Sequence, residues 1–89
     1  MQIAIGLYPG FTALDAIGPY AVFTNVPGVD VVVCADREGP LADESDLLHF
    51  DLAHTFDEVP APDVLLVPGG LVPPITRQAV FARSGRMNW

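Results

Sequence analysis

Asp15, Cys34 and the pair Gly69-Gly70 are the residues of this 89-residue chain best suited to chemistry on a small molecule. A carboxyl group can hold a proton and deliver it. A thiol becomes a nucleophile once ionised. Two glycines at the end of a strand let backbone approach a ligand closely and aim N–H groups at developing negative charge. Each residue also has a plainer reading. Asp15 can be a first-turn acid favoured by the helix dipole, worth about 0.3–1 kcal/mol. Gly69-Gly70 can be a turn that needs positive φ. Cys34 ends the apolar run VDVVVCAD and reads as a small buried hydrophobe. It also precedes the glycine pair in the chain. His49 and His54, with Asp51 between them, do not share a helical or a strand face, so they read as solvated loop histidines and no metal site is expected.

The elements that must position these residues follow from pattern. QIAIGLY, residues 2–8, is a short apolar run suited to a central parallel strand. Tyr8-Pro9-Gly10 signals a turn. Thr12 then stands where a helix begins, with Asp15 three residues on as a capping-box partner. The helix spans 12–25, with Gly18-Pro19 inside it. Proline cannot donate to the Asp15 carbonyl, so the chain either bends there or splits into two short helices. Residues 29–36 form a second strand. GPLADESDLLHFDLA is a polar excursion with the character of a hairpin, and Phe56–Val59 has room for one helical turn. Asp63 to Val67 is the third main strand, running into Pro68-Gly69-Gly70. The order β-α-β-excursion-β opens a doubly wound α/β sheet, whose ligands sit beyond the carboxyl ends of its strands.

Composition narrows the class. Hydrophobic residues make up 51% of the chain, which argues for a globular domain. One cysteine precludes an internal disulfide. The N-terminus has no basic stretch before its apolar run, and no segment reaches the ~18 apolar residues of a membrane span. A cytoplasmic protein with no membrane partner is expected. All 11 acidic residues lie between Asp15 and Asp63, and Arg37 is the only Lys or Arg before Gly70. Such a body repels phosphate backbones, so no nucleic-acid partner is expected. Residues 71–89 carry Arg77, Arg83 and Arg86 and no acid. They read as a divergent, disordered basic tail outside a domain of residues 1–70.

LYPGFTALDAIGPYAVF (7–23) and DVLLVPGG (63–70) together resemble the ThiJ/PfpI superfamily, in its isonitrile-hydratase-like branch. VVVCADREGPL and HTFDEVPAPDV also match the family's pattern, and the resemblance covers roughly residues 1–70. It implies a mostly parallel, flavodoxin-like and class I glutamine amidotransferase-like α/β sheet, of which this chain carries a truncated, N-terminal part. It further implies that Asp15 is the acid beside a cysteine nucleophile. Backbone N–H groups of Gly69 and Gly70 would then serve an oxyanion-hole-like site, with a small molecule as substrate and no cofactor. The family's nucleophile stands on an elbow after the Pro-Gly-Gly loop, and no cysteine follows Gly70 here. Asp46 occupies a place where related sequences often have glycine, a departure that bears on the hairpin's geometry.

Three functions compete on these grounds. The chain is the N-terminal part of an isonitrile-hydratase-like enzyme, inactive as given because it lacks the nucleophile. Or it is part of the ligand-sensing domain of a transcriptional regulator, although no helix-turn-helix segment accompanies it. Or it is a frameshifted product without function, as the change of composition after Gly70 suggests. With half a sheet, the apolar faces made by Ile3, Ile5, Val31, Val33, Leu65 and Val67 are expected to lack cover and to drive self-association.

Overall fold

The computed structural model describes residues 1–70. The expected tail with its three arginines, and the domain boundary before it, lie outside the described residues. In chain order the elements are β1 (Gln2–Gly6), α1 (Ala13–Phe23), β2 (Asp30–Cys34), β3 (Gly39–Ala42), β4 (His49–Leu52), a 3-10 turn (Phe56–Glu58) and β5 (Val64–Leu66). β1 lies between β2 and β5 and pairs with both in parallel. Ile3 stands between Val31 and Val64, and Ile5 between Val33 and Leu66. A strand with neighbours on both edges and cover on both faces has no polar side to show, which is why QIAIG is apolar almost throughout.

The main strands are shorter than their apolar runs. Leu7 still donates its N–H to the Cys34 carbonyl at 2.8 Å, but Tyr8 then turns the chain, with Phe11 N–H closing back on its carbonyl at 3.2 Å. Gly10, at φ 85°, supplies the left-handed residue of that turn.

α1 is one helix with Pro19 inside it, so the alternative of two short helices does not hold. Gly18 explains this in part. It has no Cβ to collide with the proline ring, which is what normally drives the residue before proline out of helical geometry. The expected capping box at Thr12 and Asp15 is not formed. Thr12 occupies the cap position without a side-chain cap bond. Its hydroxyl donates instead to Glu44 Oε2 at 3.0 Å. Its N–H, the donor a box would satisfy, is already taken by the Gly69 carbonyl at 2.6 Å.

The excursion is a hairpin, with β3 and β4 antiparallel and Leu41 opposite Phe50. Asp43 and the residues after it make its turn. The buried Asp43 carboxylate accepts from the Ser45 hydroxyl and from the N–H groups of Leu47 and Leu48. Asp46 sits at φ 59°, in the left-handed region where glycine is most at ease. Aspartate is among the few other residues that tolerate it, so this departure from the family pattern is accommodated. His49 lies on β4 rather than in a loop. It stands 3.6 Å from Asp46, and His54 stands 3.8 Å from Glu58, all of them exposed. Among the described residues no group of three metal-ligating side chains occurs.

Two apolar clusters cover the sheet. On one face Ile5, Leu7, Tyr8, Phe11, Ala16, Ala35 and Leu52 pack together, with Leu41 and Phe50 of the hairpin against them. On the other, Ala4 and Cys34 leave room for Phe56 and Val59 of the connector. The strand faces are therefore better covered than expected: Ile3 and Ile5 are buried, and Val31, Val33, Leu65 and Val67 are half-buried. Exposed apolar surface lies elsewhere as well: on α1, where Leu14, Ile17, Tyr20 and Val22 face outward and Ala16 is the one buried residue, and at Leu47 and Leu48 of the hairpin turn. Among the described residues no helix is long and apolar enough to cross a membrane.

Candidate functional site

The carboxyl ends of β1 and β5 converge on one corner. Parallel pairing of neighbouring strands delivers Tyr8 and Pro68 to the same end of the sheet, and the turn after β1 feeds α1 directly above it. Asp15 is in the first turn of that helix. Its Oδ2 accepts a long hydrogen bond from the Gly69 N–H at 3.3 Å. Asp15 and the glycine turn, 54 residues apart in the chain, are thus brought together as the sequence led one to expect. Asp15 itself is exposed at this corner, within reach of a ligand.

Gly70 is there for close approach, not for unusual backbone. Neither Gly69 nor Gly70 has positive φ, so the plain turn reading is not the reason for them. A Cβ at Gly70 would lie 2.5 Å from the Gly10 carbonyl oxygen, 2.7 Å from the Tyr8 hydroxyl and 3.1 Å from the Phe11 Cα. Among the described residues, a Cβ at Gly69 would meet the Asp15 carboxylate, at 3.2 Å. The segment is further held by an antiparallel bridge between Gly70 and Phe11.

Three neighbours of the corner carried no functional signal in the sequence. The buried Tyr8 hydroxyl donates to the Pro68 carbonyl at 2.8 Å. Burial first, then the negative charges of Asp15 and Glu44, push its ionisation above the usual tyrosine value. Glu44 reaches the corner through Thr12 and through its own N–H, which donates to the Phe11 carbonyl at 2.7 Å. Phe11 is fully buried, with its ring edge-on to Phe50 at 5.0 Å. These are long-range partnerships, and nothing in local spacing announces them.

Cys34 takes no part. It is the last residue of β2, fully buried, with its thiol against the Ile5 carbonyl at 3.8 Å. Burial above all, and then the negative charge of Glu58, pushes the thiol up to about 12. A thiol so held is almost never the reactive thiolate.

Comparison with known proteins bears on the same part of the chain. Isonitrile hydratase of Pseudomonas putida is 34% identical over 70 residues, which are 79% of this chain and 30% of that protein. The crystal structure of a ThiJ/PfpI family protein from Pseudomonas syringae superposes with a TM-score of 0.71 at 31% identity. The chain is ThiJ/PfpI-like. The superposition covers 78% of this chain and 28% of the other, so the ThiJ/PfpI-like part spans less than a third of the length of either relative. What is matched is the N-terminal portion of a mixed α/β, mostly parallel fold. No family model matches the sequence. The corner of Asp15, Gly69 and Gly70 stands beyond the carboxyl ends of β1 and β5, in the part of the chain that carries this likeness.

Proposed function

We propose that this chain is the N-terminal part of an isonitrile-hydratase-like enzyme, and that it supplies the acid and the glycine turn of a site for a small-molecule isonitrile. The observation that carries this reading is the hydrogen bond between Asp15 and the Gly69 N–H, made by residues from opposite ends of a 70-residue stretch. In the reaction a cysteine thiolate, absent from the corner described, adds to the terminal isonitrile carbon. Asp15 gives that carbon the proton it took from the thiol. Water adds across the resulting carbon–nitrogen double bond, its oxygen to carbon and a proton to nitrogen. The thiolate then departs as the hydroxyl proton returns to the Asp15 carboxylate, and the product is the N-substituted formamide.

In this arrangement Gly69 and Gly70 do different work. An N–H that holds the Asp15 carboxylate does not at the same time receive a developing negative charge. The Gly69 amide therefore orients the acid, and the role of backbone donor to the substrate falls to Gly70.

These 89 residues contain one thiol, on β2 and buried, and a nucleophile must come within about 3–3.5 Å of the carbon it attacks. The chain alone is expected to form no formamide from an isonitrile. Turnover abolished by Cys34→Ser would make Cys34 the nucleophile and overturn this. The reading as a whole is tested by replacing the matching 70 residues of the Pseudomonas putida enzyme with those of this chain. A hydratase-active chimera supports it, and a folded chimera without activity refutes it.

A further inference from the structure

We propose that Tyr8 is a positioning residue whose hydroxyl, by holding the Pro68 carbonyl, sets the Pro68–Gly69 peptide so that its N–H faces Asp15. The inference rests on reading Asp15 and the glycine turn as the reactive corner. The Pro68 carbonyl and the Gly69 N–H belong to one planar peptide unit and point in opposite directions. Whatever fixes one fixes the other. The carbonyl end is gripped by the Tyr8 hydroxyl at 2.8 Å, inside the protein. The N–H end meets Asp15 Oδ2 at 3.3 Å, at the surface. Of the two bonds the Tyr8 one is shorter and shielded from water, so it is the anchor, and the exposed carboxylate is what it aims at.

A second feature points the same way. The hydroxyl fits against the turn only because Gly70 has no side chain, since a Cβ there would come within 2.7 Å of it. Tyr8 is itself immobilised in the apolar cluster with Phe11 and Ala16. A phenylalanine would fill that space equally well, so packing alone does not account for the hydroxyl. Among the described residues the charged groups near it are Asp15 of α1 and Glu44 of the hairpin, both negative, and both favour the protonated, donating phenol.

The test compares the carbonyl–nitrogen NMR correlation of the Pro68–Gly69 peptide in the 89-residue chain with and without Asp15→Asn, at neutral pH. In the unaltered chain this peak is expected to move on Asp15→Asn. In a Tyr8→Phe chain most of that displacement is expected to vanish, while the peaks of β1 and β2 stay in place. A full displacement in Tyr8→Phe overturns the proposal, as does a peak that ignores Asp15→Asn. Should Tyr8→Phe fail to fold, ring-fluorinated tyrosine in a Tyr20→Phe chain keeps the hydroxyl and makes it a stronger donor. The Pro68 carbonyl resonance must then move, and an unmoved one overturns the proposal. None of these readouts depends on turnover, so an inactive chimera bears on the proposed function alone.

Discussion

Gly70→Ala tests the close approach on which the corner is built. The new Cβ would be 2.5 Å from the Gly10 carbonyl oxygen, whereas carbon–oxygen contacts settle near 3.3 Å, so about 0.8 Å of movement is required. The obstacle is backbone, as is the Phe11 Cα at 3.1 Å, and Phe11 is buried. Overpacking of this kind costs about 1–3 kcal/mol. If the turn moves away from Tyr8 instead, the Pro68 carbonyl is left buried and unpaired, a further ~1–3 kcal/mol. Gly69→Ala is the internal control. Among the described residues its Cβ meets an exposed carboxylate at 3.2 Å, which can swing aside. Losing that long bond costs roughly 1 kcal/mol at most, and restricting the unfolded chain returns about 0.4–1 kcal/mol. A chain of this size has total stability on the order of 5 kcal/mol. Urea titration followed by far-ultraviolet circular dichroism should show Gly70→Ala with a sharply lowered midpoint or no transition, and Gly69→Ala near the parent. Equal midpoints for the two variants would refute the argument.

Native Cys34 should resist thiol reagents, because a thiol pushed up to about 12 is ionised in roughly one molecule in ten thousand at pH 8, and it should label at once in urea. Its folded value lies above the unfolded one, so the stability it contributes is intact below about pH 8.5 and is lost toward pH 12 at about 1.4 kcal/mol per unit; Cys34→Ala should flatten that alkaline slope. Burial alone would raise the Asp43 carboxyl, but its bonds from Ser45, Leu48 and Leu47 outweigh this and hold it below its ordinary value. Its contribution is thus present above the unfolded carboxylate pKa and lost as pH falls below it; Asp43→Asn should lower stability at neutral pH and weaken the acid-induced decline. Leu14 and Val22 are 74% and 61% exposed on α1, so the chain should self-associate in sedimentation experiments, and Leu14→Lys with Val22→Lys should reduce this without loss of helix signal.

Much of the frame was legible because β1, β2 and β5 are short apolar runs of the parallel kind, separated by turn residues and one helix. Asp15 and the glycine pair could be placed together because parallel strands bring their carboxyl ends to the same edge. The errors were local rules overridden by tertiary partners. Thr12 and Asp15 have the spacing of a capping box, yet Gly69 and Glu44 claim the groups the box would use. Of the two readings of the glycine pair, close approach holds at Gly70, where Tyr8 and Gly10 crowd it, and positive φ holds at neither. His49 seemed a loop residue because HFDL is too short and too polar to signal a strand without its partner GPLA. Tyr8, Glu44 and Phe11 were invisible as neighbours of the corner, since their roles depend on contacts that no period or motif encodes.

On the proposed function, Asp15 is the proton-delivering acid of an isonitrile-hydratase-like site. The most direct measurement is the formamide-forming kcat/KM of the chimera that carries these residues in the Pseudomonas putida enzyme, with and without Asp15→Asn. Loss of a positioned acid should lower it by about 10²–10⁴-fold, while the fold, judged by circular dichroism, is unchanged. A rate that Asp15→Asn leaves intact would contradict the account.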